Sequence, residues 1–438
     1  MKRFLALAIA ALMIFSCAAC SSDGNGDTTA AEGTTAADTV SDVIAAPAND
    51  DTTAPSETAA PAENGGNTAS PAPADRNNNI NIIIKPAGTA KPSAGGSSTV
   101  TPPKTDNTPV EVETDPKKII VSAEKEWIFT EKITDSCHAS TVLPLDDGSV
   151  IAAWFAGSSE SDDDVKILTS VRGTDGKWGE PIRVSADPNV AHWNPVLFQN
   201  DDGTITLYFK VGKNTQYWKT YYSTSTDGKV WATPKELVPG DNSGGRGPVK
   251  NKPIRLKNGT ILAPGSTEID DKYRCFVDIS TDNGKTWNRT PEINSSFLRF
   301  FKVPMIQPTL WQSADGSVHM FTRTKVGKIY RSDSYDNGKT WCRAYATNLP
   351  NNNSGIDLDT DDSGRIFLAY NPVGIPGIRT PLVLSVSTDD GKTFTKIKTF
   401  EKGLAEYSYP SVVVKGDTIH ITYTYERDYI AYWQIKIK

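Results

Sequence analysis

The 438-residue chain carries only five cysteines and four histidines. Cys17 and Cys20 fall near the start, which leaves Cys137, Cys275 and Cys342. An odd number permits at most one intrachain disulfide and excludes a disulfide framework. The His and Cys residues are not spaced as zinc ligands, so no metal is implied, and no motif calls for a cofactor. The net charge of -6 gives no general reason to expect a nucleic-acid partner. Aromatic residues are missing altogether between Ser21 and Lys118, where Thr, Ala, Pro, Asn, Gly and Asp dominate. Such a segment cannot bury enough apolar surface to offset its ordering entropy. Residues 21–118 are therefore expected to form a disordered linker that tethers a domain.

The start of the chain reads as an export signal over residues 1–20. Lys2 and Arg3 precede the apolar run Phe4–Phe15, which is too short to span a bilayer. Cys17, Ala18, Ala19 and Cys20 then resemble the lipobox of bacterial lipoproteins, although Cys17 stands where that motif usually has Leu. The resemblance implies a lipid on Cys20 and a bacterial cell-surface protein held to the membrane by buried acyl chains. Ordinary secretion after Ala19 is the other reading.

The remaining residues, 119–438, are too many for one ordinary core, and repetition resolves this. One repeat is an apolar hairpin: Val142–Trp154, Val196–Phe209, Pro253–Pro264, Pro308–Phe321, Leu358–Tyr370 and Ser411–Tyr423. The turns carry Asp-Gly, Asn-Gly, Ser-Gly or Gly-Asp pairs, which suit tight hairpins because both central residues tolerate positive φ. A second repeat lies between the hairpins. It reads Ser280, Asp282, Gly284, Trp287, and again Ser334, Asp336, Gly338, Trp341, and Ser387, Asp389, Gly391, Phe394. A shortened copy ends at Trp231 and a worn one at Trp178. Two hairpins per period give four strands, and six periods predict an all-β, six-bladed β-propeller. The sixth unit lacks a strand, which the run Lys118–Phe129 could supply.

Hairpin geometry also predicts where chemistry lies. The start of the first strand and the end of the second lie side by side, opposite the turn. The starts are His138, Asn194, Lys250, Lys252, Gln307, Asp357 and Tyr407. The ends include Lys210, Glu268, Arg323, Asn371 and Tyr425. Apolar strands thus finish in polar and basic groups on one rim, the default place for a ligand.

The second repeat resembles the Asp-box of the sialidase (neuraminidase) superfamily, a BNR-repeat propeller family, and the resemblance covers the chain from about residue 119. It implies a retaining glycosidase acting on a terminal acidic sugar. In that family three Arg grip the substrate carboxylate. Arg323 and Arg379 match two of them, while His138 stands at the first. The family's Tyr nucleophile, followed by Ser, matches Tyr407 and Ser408, with Tyr409 two residues on. Gln307 occupies the position of the Glu that activates it, so Glu268 is expected to take over, with Glu406 as the alternative. The acid/base Asp matches Asp162 by spacing, with Asp163 second. Lys210 and Asn194 join the substrate-binding set from the rim pattern.

Three readings follow. The first is an exo-acting hydrolase releasing sialic acid or a related acidic sugar from a glycan. The second, motivated by His138 and Gln307, is a polysaccharide lyase acting on uronate glycans. The third is a non-catalytic module that binds acidic glycans.

Overall fold

The computed structural model describes residues 113–298 and 301–438. The expected export signal, the Cys20 anchor and the linker up to residue 112 lie outside these residues. Six four-stranded antiparallel sheets follow one another as blades. The first blade comprises Ser136–Pro144, Val150–Gly157, Lys166–Arg172 and Ile182–Val184. The second opens with His192–Gln199, the third with Ile254–Arg255, the fourth with Met305–Gln312 and the fifth with Asp357–Thr360. The sixth runs Tyr407–Lys415, Thr418–Tyr425 and Tyr429–Ile437, and its outer strand is Ile120–Trp127. That strand pairs antiparallel with Tyr429–Ile437, Trp127 opposite Ala431. The two ends of the domain thus share one sheet, and the expected ring closure is present.

The hairpin turns differ from the expectation in one respect. At Asp147-Gly148 only the glycine takes positive φ, 87°. Gly148 N–H donates to the Leu145 carbonyl, and the Asp147 carboxylate accepts from Ser149 N–H at 2.9 Å. This is a type I turn closed by a left-handed residue, the three-residue hairpin loop. The Asp therefore serves as a side-chain acceptor rather than as a second positive-φ residue. Among the six inner hairpins blade six alone has a two-residue loop, with Gly416 at φ 56°.

The Asp-boxes turn as the sequence predicts. In the fourth blade Ser334 Oγ receives Gly338 N–H at 3.0 Å, and Asp336 accepts from Thr340 N–H at 2.9 Å. These boxes also join the blades. A Cβ on Gly338 would lie 2.6 Å from Leu262 of the preceding blade, and one on Gly391 would lie 2.9 Å from Trp311. The apolar cores are sandwiched between neighbouring blades, as in the cluster that joins Ile151 and Phe155 to Leu197 and Phe209.

Blade three is the exception on the inside. Its first strand is only two residues long because Lys250, Asn251 and Lys252 leave the sheet and cross the channel. Lys252 Nζ donates to the Leu358 and Val412 carbonyls at 2.7 Å each and pairs with Asp357 at 3.4 Å. Lys250 Nζ donates to Asn251, Ile356 and Pro410. The two lysines tie blade three to blades five and six and fill the channel below the rim.

Candidate functional site at the channel mouth

Four inner strands break their ladder at the same place. The register shifts between His138 and Thr141, Trp193 and Val196, Ile306 and Thr309, and Ser408 and Ser411. Each break holds a non-glycine residue at positive φ: Ala139 at 54°, Asn194 at 42°, Gln307 at 52° and Tyr409 at 54°. Bulges re-aim side chains, and backbone strain of this kind persists where the surroundings enforce it.

The bulge in blade six delivers Tyr409 to the centre of a polar cluster. Arg323 Nη1 donates to the Tyr409 hydroxyl at 2.5 Å, and Gln307 Nε2 donates to it at 3.2 Å. Arg323 Nη1 also reaches Gln307 Oε1 at 3.0 Å, and its Nε reaches Asn353 at 3.0 Å. The guanidiniums of Arg323 and Arg379 lie 5.6 and 5.5 Å from the Tyr409 ring centre. The His138 ring lies against the same ring at 4.2 Å. His138, Gln307, Arg323 and Arg379, all expected at the site, are thus brought together around Tyr409.

Tyr407 is placed elsewhere. It is buried between blades five and six, in the cluster with Leu382 and Val412, with its ring 5.0 Å from Tyr425. Burial and the neighbouring Tyr425 push its hydroxyl up to about 12. No hydrogen bond joins the hydroxyl of Tyr407 or of Tyr409 to a carboxylate among the described residues.

The charges are unevenly matched. Glu406 binds Arg379 at 2.6 Å, Ser408 at 2.8 Å and Arg427 at 3.1 Å, and Arg427 pairs with Glu160 at 2.6 Å. Burial would raise the Glu406 carboxyl, but Arg379 and Arg427 outweigh it and hold it low. Arg323, by contrast, is buried, hydrogen-bonds only neutral groups and makes no ion pair among the described residues, with Glu268 acting on it from beyond hydrogen-bond distance. His138 cannot share that charge. Burial, then Arg427, Arg379, Arg323 and Lys250, hold it far below the ordinary imidazole range, so it is neutral. Its Nδ1 is buried without a hydrogen-bond partner, 4.0 Å from Glu406.

Glu268 ends its strand next to Arg323 and Tyr273. Burial raises its carboxyl, and Arg323 and Lys325 only partly offset this. Asp162 sits on an exposed loop and makes no side-chain hydrogen bond among the described residues, and Asp163 is exposed beside it. Asp164 is tied to Ser158. Lys210 is buried under the next loop, donating to Thr220 at 2.7 Å and to the Arg246 carbonyl at 2.6 Å. Asn194 is buried at its own bulge, without a hydrogen bond to the Tyr409 cluster.

Sequence reading passed over Arg427, Glu160, Asn353 and Tyr273. Arg427 was within reach, because it follows the second strand of blade six as Arg323 ends that of blade four.

With this geometry in place, the model of the BNR repeat-like domain family matches residues 148–421. The chain belongs to that family. No curated protein matches this BNR propeller. Among solved structures it is similar to a protein of unknown function from Dyadobacter fermentans, at 19% identity and TM-score 0.60, covering 73% of this chain and all of that one. It is also similar to the Hadza microbial sialidase Hz136, at 16% identity and TM-score 0.60, covering 69% of this chain and 66% of that one. The Trypanosoma rangeli sialidase in complex with the inhibitor DANA matches at 15% identity and TM-score 0.55, with 72% and 60% covered. The BNR propeller therefore spans about two thirds or less of the length of these two sialidases, with which it shares the sialidase fold.

Proposed function

We propose that the channel mouth holds the terminal acidic sugar of a glycan and that the protein cleaves that sugar as a sialidase-type glycosidase. The observation that carries the reading is Arg323, a buried guanidinium beside the Tyr409 hydroxyl whose hydrogen bonds all go to neutral groups. A buried cation without a hydrogen-bonded counter-ion calls for an anion, and a planar guanidinium fork suits a carboxylate. The free edges of Arg323 and Arg379 would hold it over the Tyr409 ring. Sialic acid is the acidic sugar to test first.

In this reading Tyr409, rather than Tyr407, is the nucleophile. Arg323 and Gln307 donate hydrogen bonds to its hydroxyl oxygen and fix its position. That oxygen attacks the anomeric carbon, giving its proton to water, as the bond to the leaving oxygen breaks. Glu268, whose carboxyl burial raises, gives that oxygen its proton and later takes one from water.

One observation favours a second reading. Among the described residues Tyr409 has no carboxylate partner, and it touches the neutral ring of His138. The same oxygen, once it has given its proton to water, could instead take the proton beside a uronate carboxylate, which is lyase chemistry. Incubation with sialyl-lactose and with a panel of uronate glycans separates the two. Free sialic acid that disappears in Tyr409→Phe supports the hydrolase. A new near-ultraviolet absorbance from an unsaturated product supports the lyase. Binding without turnover, unchanged in Tyr409→Phe, would leave a glycan-binding module and overturn both.

A further inference from the structure

Both loops that carry the site arginines also present bare aliphatic side chains to solvent. Val326 lies three residues beyond Arg323 and is 48% exposed, and Ile378 directly precedes Arg379 and is 45% exposed. Ile375, in the same loop, is 64% exposed. The two loops meet in backbone contact, since a Cβ on Gly327 would lie 3.1 Å from the Gly374 carbonyl oxygen. Val326 and Ile375 flank that crossing. On its far side Val326 lines a cleft of about 390 Å³ with Phe301, Pro304 and Tyr330. Phe301 is 68% exposed. An apolar lip therefore runs along the loops of blades four and five that also carry Arg323 and Arg379.

The chemistry of the lip narrows what it can take. A sugar ring offers hydroxyls all round and packs best on flat aromatic faces flanked by hydrogen-bond groups. Val326, Ile375 and Ile378, in the loops that carry the arginines, supply neither, while the aromatic Phe301 and Tyr330 lie in the far cleft. Aliphatic surface of this kind is stabilised by covering it with hydrocarbon. Lys302 lines the same cleft, and Lys325 stands between the lip and the site with its ammonium 3.9 Å from the Tyr273 ring centre. The lip is thus apolar, with Lys302 in its far cleft and Lys325 between Val326 and Arg323 in the chain.

We infer that this lip is a subsite for an alkyl aglycone, so that the preferred substrate is an amphiphilic acidic glycoside with its carboxylate at Arg323 and its hydrocarbon along Val326 and Ile375. The inference rests on the acidic-sugar reading of the channel mouth.

The test compares the methyl and octyl α-glycosides of sialic acid as ligands of the Tyr409→Phe protein, which keeps the arginines but not the reactive hydroxyl. Octyl glucoside serves as the neutral control, and all are used below their micellar concentrations. The octyl sialoside is expected to bind at least about tenfold more tightly than the methyl sialoside, the effect of burying roughly two methylenes. Adding Val326→Ser with Ile375→Ser should erase that advantage and leave methyl sialoside binding unchanged. Both positions are exposed, so the fold should survive, and an unchanged melting temperature confirms it. Equal affinity for the two sialosides, or an advantage that persists in the serine variant, overturns the lip alone. Failure to bind either sialoside, whether or not octyl glucoside binds, overturns the acidic-sugar reading and the inference with it.

Discussion

The chemistry proposed for the channel mouth depends on how single groups are charged. Glu268 is the clearest case, because burial raises its carboxyl while Arg323 and Lys325 pull the other way. A general acid must be protonated to act, so a raised pKa extends the working range upward. Activity should be full below the raised pKa of Glu268 and fall as pH rises through it. Glu268→Gln should lower kcat by about 10²–10⁴-fold on substrates with poor leaving groups. It should also remove the alkaline limb of the rate profile, while an activated aryl glycoside, whose leaving group needs no proton, is spared. A pH–rate profile of both proteins on both substrates decides the matter. An unchanged alkaline limb in the variant would assign it to another group.

The elements explain what could be read from the sequence and what could not. Turn chemistry is local, so the Asp-Gly hairpins and Asp-boxes were legible, and with them the blade count and the rim. The choice between Tyr407 and Tyr409 was not. On a regular strand, residues two apart share a face, so both tyrosines would point the same way. The bulge between Ser408 and Ser411 breaks that alternation, which leaves Tyr407 between blades and sends Tyr409 to the arginines. Nothing local in Tyr-Ser-Tyr-Pro announces a bulge, because the groups that enforce it come from blades three and four. Asp162 was chosen by spacing to a family pattern, and spacing does not say where a loop rests. The Asp-box glycines make the opposite point, since one residue there answers two demands. Gly338 has φ 81°, and an added Cβ would lie 2.6 Å from Leu262 Cδ1. Gly338→Ala should therefore destabilise the domain by about 2–4 kcal/mol, combining left-handed strain with overpacking between blades. Gly364→Ala, at φ 84° but with open space around it, should show the strain alone, about 1–2 kcal/mol. Paired denaturant titrations give both values, and equal losses would mean that blade contact adds nothing.

At the scale of the whole ring, stability couples to pH through histidines built in as neutral groups. His192 accepts Ala186 N–H on Nε2 at 2.9 Å while its Nδ1 faces the Val190 carbonyl at 2.8 Å. Protonation would leave the Ala186 donor facing another donor. His420 lies 2.7 Å from the Tyr432 hydroxyl inside blade six, and His138 lies in the site without a partner for Nδ1. Burial brings His192 and His420 down to about 4 and holds His138 well below the ordinary imidazole range. In the unfolded chain all three titrate near about 6.5. Between those values the unfolded chain binds protons that the folded chain refuses, so stability rises with pH. The stabilisation is complete above the unfolded value and is lost as pH falls from about 6.5 towards 4, before ordinary carboxylates titrate. For His192 and His420 the loss is on the order of 2–3 kcal/mol each. These residues sit in blades two and six, on either side of blade one. Blade six is also where Ile120–Trp127 closes the ring, so acid should act first on the region of closure. Thermal melts across this range should show the midpoint falling steeply with acid, and His420→Gln should flatten the fall by roughly half of one proton's share or more. If His420→Gln melts with the same pH slope as the parent, the buried imidazole of blade six is not the sensor, and the acid loss must come from His192, from His138 or from carboxylates that release their partners at lower pH.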